Sequence, residues 1–242
     1  MTFSIVARCP RTGMLGVGTS SKALAAGAAV PRCRAGVGAI ASQSFANPYL
    51  GIDGLGLIEQ GLTAERALER LIESDRGRDL RQIAIVDRDG HTAAYTGAGC
   101  IPWAGQVEGG AYVCLGNILV GEEVIKAMAR AFETSGDQEL PERLLLALEA
   151  GQEAGGDRRG RQSAAIHIVY TEEYPYCDLR VDDHPDPIPE LRRVFTVFQR
   201  EEVPFLPMMP RRDDFTPQWD AAIRIREMLE ASLEEEAATI KE

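Results

Sequence analysis

Apolar and polar residues alternate from the start of the chain, in Phe3-Ser4-Ile5-Val6-Ala7 and again from Met14 to Ser20, with Pro and Gly turn signals between them at Cys9–Gly13. Short runs of this kind, bounded by turn residues, predict two strands joined as a hairpin, Thr2–Arg8 and Met14–Ser20. Ala28–Val30 predicts a further short strand, Pro31–Ala35 a turn, and Gly36–Gln43 a strand of small residues. Small residues on a strand allow another backbone, or a site, to come close. The period then changes. Asn47 reads as a helix N-cap with Pro48 at the first helical position, opening a helix to about Gln60. Thr63 caps a second helix, in which Leu68, Leu71 and Ile72 form an apolar stripe. Gln82–Val86 and Thr92–Tyr95 flank Asp87-Arg88-Asp89-Gly90, a hairpin turn. Gly105–Leu115 predicts a strand, Glu122–Thr134 and Leu140–Ala150 two helices, Ala164–Tyr170 and Cys177–Val181 two strands, and Pro189–Gln199 the start of another helix.

The order is strands, two helices, strands, two helices, strands. Two sheets, each covered by a helix pair, make a four-layer αββα sandwich of the α/β (α+β) class, with antiparallel sheets, over residues 1–200. Past Val203 the composition shifts, and Pro204, Pro207, Met208, Met209 and Pro210 read as a linker. Thr216–Glu236 then predicts an amphipathic helix with Trp219, Ile223 and Met228 as contacts to the parent domain or to another subunit. Residues 201–242 are therefore set apart as a C-terminal extension, and a homo-oligomer is expected.

The 242 residues carry a formal charge of −11, and there is no long basic run. That excludes a generic nucleic-acid or anionic-membrane binder. No apolar run approaches the roughly 20 residues that span a bilayer, and the N-terminus lacks the pattern of a secretory signal, so a cytoplasmic protein is expected. Cys9, Cys33, Cys100, Cys114 and Cys177 are dispersed and odd in number, which favours reduced thiols over disulfides or structural zinc. Lysine is scarce: only Lys22, Lys126 and Lys241 occur.

Against this background four groups carry candidate chemistry. Thr2 follows the initiator, and removal of Met1 would leave it a free α-amine with a reference pKa near about 8, able to take the proton of its own hydroxyl. A threonine with a built-in base is one form of the nucleophile-plus-base arrangement; its bland counterpart is simply the second residue of a strand. Thr19-Ser20-Ser21-Lys22 returns along the hairpin beside the chain start, where the Lys22 charge can lower the pKa of the Thr2 hydroxyl or amine, or else cap carbonyls at the turn. Leu115-Gly116-Asn117 follows a strand; the Asn117 side-chain N–H can donate to an oxyanion, or the residue can serve a turn. In Gly155-Gly156-Asp157-Arg158-Arg159-Gly160-Arg161-Gln162-Ser163, three glycines free the backbone while Asp, Arg and Gln supply charge. Guanidinium forks suit a carboxylate, so the loop reads as a binding site for an amide of an acidic or amino-acid fragment, with an internal ion-pair corner as the alternative. No dinucleotide fingerprint, Walker loop or nucleophile elbow occurs. Asp182, Asp183 and His184 have metal-ligand chemistry, although Asp186 before Pro187 also suits a helix N-cap.

The segments MTFSIVAR, SSKALAAGAAVPRCRAGVGAIASQS, GNILVG, GGDRRGRQSAA and DLRVDDHPDPIPEL together resemble domain-of-unknown-function family 1028 over roughly residues 1–200. That family is similar in fold to the N-terminal-nucleophile hydrolases, so the resemblance implies a sandwich of their type and cleavage of a small amide or peptide-like substrate without metal or cofactor. By position it implies Thr2 as nucleophile and base, Lys22 as a supporting charge and Asn117 as oxyanion donor. Asp157, Arg158, Arg161 and Ser163 would line the site. The alternative is a non-catalytic binding or assembly protein that kept the sandwich without the chemistry.

Overall fold

In the computed structural model, residues 2–214 and 222–231 are described. The opening hairpin forms as its alternation requires: β1 (Thr2–Arg8) pairs antiparallel with β2 (Leu15–Ser21), Thr2 opposite Ser21 and Arg8 opposite Leu15. Next comes a correction. Ala26–Ala29 is one helical turn (α1), and Pro31–Arg34 is a strand (β3), where a strand and a turn were expected. Alanine is the strongest helix former, and Ala25, at φ 52°, swings the chain into that turn.

β4 (Gly38–Ser44) is followed by α2 (Pro48–Glu59) and α3 (Ala64–Ser74), capped as expected: Asn47 accepts from Tyr49 N and Thr63 from Arg66 N. β5 (Arg81–Asp87) and β6 (Thr92–Thr96) form the next hairpin. The single strand expected over Gly105–Leu115 is instead a hairpin of β7 (Gly105–Gly109) and β8 (Tyr112–Asn117), with Gly109 opposite Tyr112. Gly110 and Ala111 (φ 62°) make its two-residue turn. Then follow α4 (Glu123–Thr134), α5 (Leu140–Glu153), β9 (Ser163–Val169), β10 (Cys177–Val181) and α6 (Pro187–Glu201).

All ladders are antiparallel. One sheet has six strands in the order β10-β9-β2-β1-β8-β7, and the other four in the order β3-β4-β5-β6. α4 and α5 cover the first sheet; α2 and α3 cover the second. The layers follow from period-two patterning. Val6, Val17, Val113 and Leu115 of the larger sheet face Ala39, Ala41, Ala84 and Val86 of the smaller, all buried between the sheets. Ile40, Ile83 and Ile85 point the other way, into Leu50, Leu55 and Ile58 of α2 and Leu71 of α3. These two sheets and four helices form an αββα sandwich with β1 in the middle of its larger sheet.

The chain divides into two compact units, Met1–Phe195 and Thr196–Glu242. In the second, Val203–Met208, expected as linker, forms a 3-10 turn. Of the amphipathic helix expected over 216–236, residues 222–231 are helical, with Ile223 and Met228 exposed; Trp219 lies outside the described residues.

Candidate active site

Between the sheets the apolar side chains give way to polar ones at one end. Thr2, Ser4, Thr19, Ser21, Gln43, Gln82 and Asn117 come from five strands and are all buried, none more than 4% exposed. Thr2 begins the central strand with Ser21 as its neighbour on β2 and Asn117 as its neighbour on β8. The same end of β4 and β5 supplies Gln43 and Gln82, directly opposite each other in their ladder.

Buried polar groups need partners, and these find one another. Gln82 Nε2 donates to the carbonyls of Gly116 (2.8 Å) and Gly105 (3.1 Å) and to Thr96 Oγ1 (2.9 Å). Gln82 Oε1 accepts from Gln43 Nε2 at 2.8 Å and from Asn117 Nδ2 at 2.9 Å. Gln43 Oε1 accepts from Ser4 Oγ at 2.6 Å, and Ser4 Oγ lies 2.9 Å from Thr19 Oγ1. Gln43 Nε2 also reaches the Thr2 carbonyl at 3.3 Å, and Thr2 Oγ1 donates to Ser21 Oγ at 3.2 Å.

The direction of these bonds is fixed by chemistry. Backbone carbonyls only accept, so the Gln82 atom facing Gly105 and Gly116 must be its amide nitrogen. Its oxygen therefore faces Gln43 and Asn117, and both must present nitrogen to it. Asn117 Oδ1 is thereby left as an acceptor, buried and without a partner among the described residues. One Asn117 N–H is engaged by Gln82, so the expected oxyanion donation would fall to the other.

Lys22 follows directly on β2. Its side chain is exposed, and among the described residues no acceptor engages its ammonium, whereas its backbone N–H donates to Asp157 Oδ2 at 3.1 Å. The glycine-rich loop lies against this end: Gln162 N bonds Ser21 O, Arg158 N bonds Ile118 O, and Gly156 O takes Val120 N. Asp157, 5% exposed, accepts from Arg159 N, Nε and Nη2 as well. This is the internal ion-pair corner. Arg158 Nη2 donates to Pro102 O at 3.2 Å, Arg161 pairs with Asp186, and Ser163 Oγ ties Ala23 O (2.7 Å) to Ala26 N (3.1 Å). Each of these side chains therefore has a partner within the chain, and together they brace the end of β2.

The Asp182, Asp183 and His184 group does not assemble as a metal site. Asp182 pairs with Arg180, Asp183 accepts from Gln162, and His184 Nδ1 accepts from Asp186 N. Among the described residues the ligand atoms that converge, within 4.8 Å, belong to Asp87, Asp89 and His91. There Asp87 already accepts from Ala64 N, Asp89 N and His91 N, and its carboxylate raises the His91 pKa. Gln43 and Gln82 are what the sequence reading missed. Their signal was present: alternation puts Gln82 on the same strand face as Ala84 and Val86, the apolar inner side.

The fold and its polar end thus define an αββα sandwich with a threonine buried at the head of its central strand. The chain belongs to the family described as a family of unknown function (DUF1028), which matches residues 2–191. The crystal structure of protein SPO2555 from Silicibacter pomeroyi, of the same family, is 32% identical, with a TM-score of 0.82 over 89% of this chain and 98% of that one. Two further solved structures are similar at 12% identity: Anbu (ancestral beta-subunit) from Yersinia bercovieri, TM-score 0.38 over 82% of this chain and 94% of that one, and an Anbu (Gly-1) mutant from Hyphomicrobium sp. strain MC1, TM-score 0.39 over 83% and 96%. No curated protein matches. No helix among the described residues is long and apolar enough to cross a membrane.

Proposed function

We propose that this protein hydrolyses a small amide or peptide-like substrate through Thr2, with Met1 removed. The observation that supports this reading most is the setting of Thr2, first residue of the central strand, on the buried polar end between Ser21 and Asn117. In the reaction, Thr2 Oγ attacks the amide carbon and its proton passes to the α-amine. That proton then goes to the departing nitrogen as the C–N bond breaks, leaving an ester on Thr2. Water adds to the ester carbon, and the acid leaves with the Thr2 hydroxyl restored. Lys22 supplies positive charge at the end of β2, and the loop 155–163 holds that end in place rather than contacting substrate.

Thr2→Ala, with wild type, is to be screened in parallel against a panel of amides. The variant is expected to fold and to lose turnover by about 10³-fold or more, since catalytic groups acting as a unit carry most of the rate. Full activity in Thr2→Ala would move the nucleophile elsewhere. A second reading, binding or assembly without catalysis, is favoured by the 4% exposure of Thr2 and by the engagement of its hydroxyl with Ser21. Intact mass separates the two, because a purified chain that keeps Met1 has no α-amine on Thr2.

A further inference from the structure

The polar end carries one imbalance. Asn117 Oδ1 is buried, has no partner among the described residues, and cannot be exchanged with Nδ2 because the Gly105 and Gly116 carbonyls fix the direction of the whole chain of amides. An unsatisfied buried acceptor costs on the order of 1–3 kcal/mol, so a native protein holds one where something else completes it. The position says what that is. Asn117 ends β8 opposite Thr2, the first residue of β1; cross-strand neighbours on one face have Cβ atoms about 4.5–5.5 Å apart. The Thr2 hydroxyl already donates to Ser21 Oγ. While the Thr2 nitrogen is in a peptide bond it has a single N–H. Removal of Met1 turns it into an amine with two N–H groups and a lone pair, or three N–H groups when protonated, at the place where the Asn117 Oδ1 acceptor is unengaged.

We propose that Asn117 Oδ1 accepts a hydrogen bond from the α-amine of Thr2 once Met1 is gone. Asn117 is then a positioning residue: Gln82 holds its amide, and Asn117 holds the amine so that the nitrogen lone pair faces the Thr2 hydroxyl. This inference rests on the proposed removal of Met1, but not on Thr2 being the nucleophile. The processing of the chain becomes part of its folding energetics, since one proteolytic cut completes a buried network.

The test is a thermodynamic cycle that needs no substrate. The processed and Met1-retaining forms of wild type and of Asn117→Leu are prepared, the latter forms from cells whose methionine aminopeptidase is inhibited, and sorted by intact mass. Thermal melts then give the effect of losing Met1 in each background. In wild type that loss is expected to raise Tm by about 2–4 °C more than it does in Asn117→Leu, the shift that about 1 kcal/mol produces in a chain of this size. Equal effects in the two backgrounds overturn the inference, as does a wild-type chain that never loses Met1. If Asn117→Leu does not fold, Asn117→Ser, which keeps a small polar side chain but cannot place an oxygen where Oδ1 lies, takes its place. Thr2→Ala separates this inference from the catalytic one, because it keeps the amine. Activity in Thr2→Ala with the cycle intact sinks the nucleophile alone; a lost cycle with an inactive Thr2→Ala sinks the role of Asn117 alone.

Discussion

Gln82 reaches from β5 across the gap between the sheets, and its one amide touches groups on β4, β6, β7 and β8. Its replacement by leucine would keep the volume but take away, in a dry place, the bonds it makes to the Gly105 and Gly116 carbonyls, to Asn117 Nδ2 and to Gln43 Nε2. Gln82→Leu is therefore expected to destabilise the protein by about 3 kcal/mol or more. Urea unfolding checks this, with a lower midpoint at unchanged slope. Ser4→Ala is expected to be milder, about 1–3 kcal/mol, since it removes one donor to Gln43 and leaves the remaining amides paired. At this scale the sequence was half legible. Thr2, Lys22 and Asn117 stand out because they sit where strands begin or end. Gln43 and Gln82 do not, because a glutamine by itself reads alike whether it faces water or another sheet; only strand phase, which puts them on the face of Ala41, Ala84 and Val86, tells them apart. The arginines of the glycine-rich loop posed the opposite problem: their charge is visible, but only the fold shows that Asp157, Pro102 and Asp186 take them up.

Elements meet at contacts that tolerate no extra atom. After β6, Gly97 passes so close to the turn before β5 that a Cβ on it would lie 2.3 Å from Asp79 O and 2.5 Å from Arg78 O. Both are backbone atoms, so the chain itself would have to move. Gly97→Ala is expected to cost about 1–3 kcal/mol by chemical denaturation. At the end of α3, Asp75 accepts from Arg81 Nε at 2.8 Å, which ties the helix to the start of β5. The Arg81 hydrogen bond holds the Asp75 carboxyl below its ordinary 3.8. A carboxyl depressed in the folded state stabilises it above the unfolded pKa, and that contribution fades as pH falls through the folded value. The stability gap between wild type and Asp75→Asn is thus expected to be full at neutral pH and to narrow below about pH 4. Unfolding curves across that range check the sign. Most elements were legible from capping and period, notably α2 and α3 with Asn47 and Thr63. The elements the sequence hides are the Ala-rich turn α1, the strand β3 beside it, and the β7–β8 hairpin, whose turn falls at the Gly109-Gly110 pair inside what looks like one strand.

At the scale of the molecule, the sheets meet unequally, with alanines of the smaller sheet under valines and leucine of the larger. Ala84→Leu would overfill that gap, and a loss of about 1–3 kcal/mol is expected in calorimetry or denaturant unfolding. The layer order was legible, since alternating pairs of strands and helices leave few other arrangements. The strand order was not. Nothing local says that β9, some 140 residues downstream, lies beside β2 with Ser21 opposite Ser163. The polar end gives this architecture a mechanical character. Apolar layers resist shear weakly, because van der Waals contact has little direction; a set of amide bonds resists it strongly. A slip of one residue along the strands, about 3.3 Å, would break every bond that Gln43 and Gln82 make between the sheets. The two sheets are thus like pages bound along one edge, with the spine at the end that carries Thr2.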